Sequence, residues 1–163
     1  MTISFPSLPE NLDQFMPLAE DMMKEPQGTA ALLIVALGLY VKEREAGLAA
    51  LNVLHGPRPL SVRDQQFIRD RLMDKPYLPD SYFVGARPDN NYTPDQPWTL
   101  EIQPDPIPAE SDEFRRLRLN SSGADSPRLV TLRRKASGDT WFLWDYPGIV
   151  TGIRLPSEQD PWA

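Results

Sequence analysis

Thr29-Ala30-Ala31-Leu32-Leu33-Ile34-Val35-Ala36-Leu37-Gly38-Leu39-Tyr40-Val41 is the stretch on which the fold turns. Read at helical period it is apolar on every side, and a helix of that kind must be covered by other elements. Gln27 to Val41 carries no charge, and Lys42-Glu43-Arg44-Glu45 then closes the run. A membrane span needs about 20 apolar residues, whereas a run of about 10–14 reads as a buried core helix. The expectation is a central helix over about Thr29 to Glu43 in a soluble, cytoplasmic protein with no membrane contact. Met1-Thr2-Ile3-Ser4-Phe5-Pro6 has no basic region followed by an apolar one, so no signal peptide is expected.

Helical signals flank this stretch on both sides. Leu12, Phe15, Met16, Ala19, Met22 and Met23 recur at spacings of three and four, which predicts a first helix. Pro17 is expected in its first turn, with the start near residues 13–16 and the end before Pro26, because an interior proline removes a backbone bond. The Met22-Met23 pair continues the stripe and reads as core filling. A third helix, Ala46 to Leu54, should stop at Gly56-Pro57. Ser61 with Asp64 has the form of a capping box, opening a fourth helix to about Asp74 with Phe67, Ile68 and Leu72 inward.

Beyond Lys75 the pattern changes. Eight prolines fall within residues 76–108, so no long helix or central strand crosses that region intact. Period-two alternation follows: Trp98, Leu100 and Ile102, then Leu117 and Leu119, then Leu129 to Arg134. Ser121-Ser122-Gly123-Ala124-Asp125-Ser126-Pro127 and Ser137-Gly138-Asp139 supply turns. Trp141-Phe142-Leu143-Trp144 is apolar on both faces and reads as a central strand. The expected fold is α+β and a single domain over residues 1–163. A helical part at about 13–75 leads through a proline-rich connection at 76–97 to an antiparallel meander of about four strands at 98–155.

The chain has 163 residues, 40% hydrophobic and 25% charged, with 18 prolines, no cysteine, one histidine and a net charge of −6. The absence of cysteine excludes thiolate metal sites, iron–sulfur clusters and cysteine nucleophiles. The acidic balance opposes non-specific binding to nucleic acid or anionic membrane. No glycine-rich phosphate loop and no Gly-x-Ser-x-Gly elbow occurs. Asp89-Asn90-Asn91-Tyr92-Thr93-Pro94 departs from a calcium loop at its sixth position, Pro94, and its twelfth, Leu100. No catalytic residue, metal or cofactor is expected.

Four candidate groupings remain. His55, at a predicted helix end, is expected to cap carbonyls, with a general-base role as the alternative. Asp125 and Arg128 flank a turn and are expected to lock it by pairing, or else to form an anion-binding pair. Arg115, Arg116, Arg118, Arg133, Arg134 and Lys135 lie on two strands that should pair, giving either a salt-bridged face or a basic ribbon. Residues 77–98 are expected to be ordered and partly exposed, with Tyr82, Phe83 and Tyr92 offering a wet aromatic surface to a partner.

Several stretches resemble a known family. They are Tyr77-Leu78-Pro79-Asp80-Ser81-Tyr82-Phe83-Val84-Gly85-Ala86-Arg87-Pro88-Asp89-Asn90-Asn91-Tyr92-Thr93-Pro94, Leu54-His55-Gly56-Pro57 with Pro59-Leu60-Ser61, and Ser122-Gly123-Ala124-Asp125-Ser126-Pro127-Arg128. Trp141-Phe142-Leu143-Trp144, Gly152-Ile153-Arg154 and Asp160-Pro161-Trp162-Ala163 complete the set. Over residues 29–163 the chain resembles an uncharacterised bacterial domain of unknown function, found mainly in Gram-positive organisms. Asp145-Tyr146-Pro147-Gly148 departs from the less proline-broken segment the resemblance leads one to expect. The resemblance implies no activity and supplies no catalytic residue. The poverty of catalytic groups favours a non-catalytic interaction, regulatory or immunity-type domain with a protein partner. A small ligand-binding or enzymatic cone of the nuclear-transport-factor-like type is the alternative, and nucleic-acid binding through the arginine-rich hairpin a further one.

Overall fold

The computed structural model describes residues 1–163 and begins with a short strand, β1 (Thr2–Phe5), which precedes four helices. These are α1 (Leu12–Met22), α2 (Pro26–Lys42), α3 (Arg44–His55) and α4 (Val62–Leu72). Strands β2 (Trp98–Pro104), β3 (Phe114–Leu119), β4 (Arg128–Arg134) and β5 (Trp141–Asp145) follow. All five strands form one antiparallel sheet in the order β1-β2-β3-β4-β5. The α+β class holds, with one strand more than the alternation of residues 98–144 suggested. β1 is only four residues long, but Ile3 and Phe5 turn toward the helices and Thr2↔Glu101 through Phe5↔Trp98 set its register.

α2 is the centre of the fold, every residue from Thr29 to Leu37 being buried. It packs against α1 and α3 on one side and reaches β2, β3, β4 and β5 on the other. Leu100, Ile102, Leu117, Leu119, Val130 and Leu132 form the sheet face that meets it. The opposite face carries Glu101, Gln103, Arg116, Arg118 and Thr131, all exposed or half-exposed. An antiparallel sheet with one dry and one wet face gives this alternation.

The helix boundaries differ from the sequence reading mainly at prolines. α1 starts at Leu12, capped by Asn11, whose side chain accepts from the Gln14 amide, so Pro17 lies inside the helix instead of in its first turn. Burial of Phe15 and Ala19 holds that helix despite the lost bond. Pro26 stands at the first position of α2, where its missing N–H is no loss. The capping box at Ser61 and Asp64 forms as read, while Phe67 stays half-exposed beneath Arg71. Met23 enters the core and Met22 packs at its margin.

β5 is an edge strand and not the central one its two-sided apolarity suggested. Helices and loops replace the missing neighbour. The Trp141 amide donates to the Met23 carbonyl at 2.8 Å, and the Thr29 hydroxyl donates to the Trp141 carbonyl at 2.8 Å. Arg58 donates to the Trp144 carbonyl. Phe142 lies against Gly56, where a Cβ would come within 2.2 Å of the ring. That contact, together with a φ of +58°, requires glycine at the end of α3.

Candidate functional site

Residues 77–98 are ordered, but their rings face inward. Tyr82, Phe83 and Tyr92 are each buried to within a few per cent, so the expected aromatic contact surface does not exist. The physical reason is that each ring completes the core and each phenol finds a carbonyl. Tyr82 donates to the Ile149 carbonyl at 2.6 Å and Tyr92 to the Arg154 carbonyl at 2.7 Å. Tyr77 stacks on Tyr92 with centroids 5.3 Å apart. Burial raises both phenols' pKa, Tyr92 to about 12.

Asp125 and Arg128 do not pair. Asp125, exposed, takes Arg154 instead. Arg128 donates to the carbonyls of Thr151 at 2.9 Å and Gly152 at 3.2 Å, tying the start of β4 to the segment after β5. These two residues do not converge, and neither forms an anion site with the other. The basic ribbon is likewise divided. Arg116 and Arg118 both reach Asp105, at 3.0 and 3.6 Å, and share its single carboxylate. Arg115 turns over the Trp141 ring at 5.1 Å.

What remains of the ribbon joins residues from far away in the chain. Between Thr131 and Leu132 the β4–β5 register shifts, so that Asp145 and Leu143 have partners and Trp144 has none. Such a bulge re-aims the extra side chain. Trp144 here stands between two guanidinium groups, Arg58 at 4.0 Å and Arg133 at 4.6 Å from its ring centre. Phe114, the cross-strand partner of Arg133, meets Trp144 edge-on at 5.7 Å. Arg134 and Lys135 follow at the end of β4, and together these groups border a cleft of about 570 Å³ floored by Phe142 and Leu143. Its volume lies in the range of ligand pockets. Glu113 is the one carboxylate on its wall, 4.0 Å from Arg133, while Arg58, Arg134 and Lys135 form no ion pair. A chain of net charge −6 thus concentrates four cations around an indole.

A second, smaller cleft of about 330 Å³ adjoins the first and shares His55, Arg58 and Trp144 with it. Ser61, Asp64 and Tyr146 complete its polar rim. His55 does not cap the α3 carbonyls. Its Nε2 meets the Tyr146 hydroxyl at 2.7 Å, and its Nδ1 is buried with no partner. Burial first, and the Arg58 charge next, hold the imidazole below its ordinary pKa of 6.5. Tyr146 is pushed up by burial and the nearby Asp64. Both shifts leave a neutral imidazole hydrogen-bonded to a protonated phenol, with His55 on the wall the two clefts share. No group of three or more His, Cys, Asp or Glu side chains comes together to hold a metal ion. No helix is long and apolar enough to cross a membrane.

Arg58 is the member of this site that sequence reading missed. It follows the Gly56-Pro57 stop, and nothing local relates it to Trp144, 86 positions later. Fold and site together define an α+β domain with one open sheet face and a basic, aromatic cleft at its β5 corner. The chain belongs to the family described as domain of unknown function DUF6935, whose model matches residues 7–157. That match covers α1 as well as the stretches quoted above, and stops short of Asp160-Pro161-Trp162-Ala163. No curated protein and no solved structure matches the chain.

Proposed function

We propose that this protein is a non-catalytic binding domain that takes an acidic segment of a protein partner into the cleft around Trp144. The observation that carries this reading is the gathering of Arg58, Arg133, Arg134 and Lys135 against the single carboxylate of Glu113. Arginines already stacked on an indole have lost much of their conformational freedom, so pairing with an incoming carboxylate orders little more. Phe142 and Trp144 add apolar area next to the charges, the composition of an interface hot spot. The engagement of Arg116 and Arg118 by the one carboxylate of Asp105 halves their net charge and shortens the cationic track that a nucleic-acid backbone needs, which favours a short acidic peptide as occupant.

Titration with a labelled acidic peptide containing one aromatic residue tests the proposal. Arg133→Glu and Lys135→Glu should each weaken binding about tenfold, equivalent to about 1.4 kcal/mol, with little change in melting temperature. Added salt should weaken binding further as exposed charges are screened. Equal binding by both variants and the parent protein would overturn the assignment.

A further inference from the structure

Trp162 is 92% exposed, the largest exposure of any large apolar side chain in the protein. It is nonetheless presented in a defined way. The Trp162 amide donates to the Asp160 carboxylate at 2.9 Å and the Ala163 amide to the Asp160 carbonyl at 3.2 Å, closing a tight turn beneath the indole. Glu158 and Asp160 are the charged side chains of the Ser157–Trp162 segment, which contains no cation. Pro156 and Pro161 restrict the chain on either side of them and lower the entropy lost on docking.

We infer that the occupant of the Trp144 cleft is the Glu158–Trp162 tail of a second copy of this chain. The inference rests on the binding reading above and gives it a partner. Charge and apolar character correspond. The tail offers an indole and two carboxylates, and the cleft offers stacked guanidinium groups, an apolar floor and the unpaired Arg134 and Lys135. Docking removes an exposed Trp162 ring from water, a favourable burial of apolar surface. The segment is held on its own chain against residues outside the cleft lining, which favours a second copy as its source. Ser157–Gln159 lies against Pro88–Asn90, and Arg154 is held by Asp125 and the Tyr92 hydroxyl. None of those residues borders the cleft. Trp162 stands three residues past that anchor, a reach of about 10 Å. Reciprocal exchange of two tails gives a closed dimer, whereas one-way docking gives an open-ended chain of copies.

Sedimentation equilibrium decides the matter with three proteins: parent, Trp162→Ala and Arg133→Glu. Both substituted side chains are exposed or half-exposed, so unchanged melting temperatures are expected to show intact folds. The parent should gain mass with concentration, and each variant alone should remain monomeric. An equimolar mixture of the variants should associate again, because one supplies the tail and the other the cleft. A labelled peptide spanning residues 156–163 should bind Trp162→Ala about tenfold or more tightly than it binds Arg133→Glu. A parent protein that stays monomeric, or a mixture that fails to associate, overturns the inference. If the tail peptide fails while another acidic aromatic peptide binds, the self-docking idea falls and the binding reading stands. If no acidic peptide binds, both fall.

Discussion

Protonating His55 sets a buried charge beside Arg58. The unfolded chain holds that proton at a higher pH than the folded one, since the folded pKa lies below 6.5. Stability contributed by the neutral imidazole is therefore complete above about pH 6.5 and is lost as pH falls through and below it. Thermal melts between about pH 8 and 5 should show this decline, and His55→Asn should flatten it. Tyr146→Phe removes the one hydrogen bond of a buried imidazole and should lower stability by about 1–3 kcal/mol. An unchanged melting point would mean that the pair is incidental. At Gly123, a Cβ would approach the Tyr92 hydroxyl to 2.3 Å, so Gly123→Ala should displace that ring and cost about 1–3 kcal/mol. The quoted Ser122–Arg128 turn thus contributes through close approach. Its carboxylate matters less: Asp125 forms an exposed pair with Arg154, and exposed pairs are worth about 0–1 kcal/mol. The sequence placed Asp125 and Arg128 at one turn but could not show that each is drawn to a different carbonyl or cation beyond residue 150.

At the scale of elements, what could be read was what is local. The apolar circumference of α2, the Ser61–Asp64 box and the alternation of β2, β3 and β4 all depend on neighbours within a few positions, and all three appear in the structure. The place of β5 depends on partners that local pattern does not encode. Its two apolar faces read as those of a central strand covered on both sides, whereas it lies at the edge and Thr29, Met23 and Arg58 bond its outer side. β1 escaped because four residues followed by Pro6 give too short a pattern to separate from a loop. Two substitutions follow from these placements. Leu37→Asp, with a fully buried side chain on α2, should leave no folded domain, because an unpaired buried charge costs several kcal/mol against a typical stability of ~5–15. Circular dichroism showing a native melt would refute the central position of α2. Thr29→Val keeps the volume but removes the donor to Trp141, and should cost about 1–3 kcal/mol.

Over the whole molecule, the candidate site is the part least legible in advance. Its members come from the α3–α4 connection, the end of β4 and the β5 bulge, and only the folded sheet brings Arg58, Arg133 and Trp144 together. The aromatic loop misled for a related reason: rings in an irregular segment resemble an interface until their carbonyl partners at Ile149 and Arg154 are known. The same bonds make residues 77–98 a clamp. With the Val84 amide on Thr99 at 2.8 Å and the Asp95 amide on Val84 at 3.0 Å, limited proteolysis should spare this segment. First cuts should fall in the exposed stretch from Pro106 to Asp112, which holds Ile107 65% exposed. Early cleavage at Tyr82 or Tyr92, read by mass spectrometry, would contradict the clamp.

The pairing of β1 with β2 has a temporal consequence. Thr2–Phe5 precedes every helix in the chain, yet it finds its register only on Trp98–Glu101. At a synthesis rate of about 5–20 residues per second, that strand waits roughly 5–20 s on the ribosome for its neighbour to emerge. The helices can collapse around α2 during the delay, so β1 locks only once the helical part of the chain is in place. Because β3, β4 and β5 follow β2, the sheet can begin at its β1 edge and is completed only when β5 arrives.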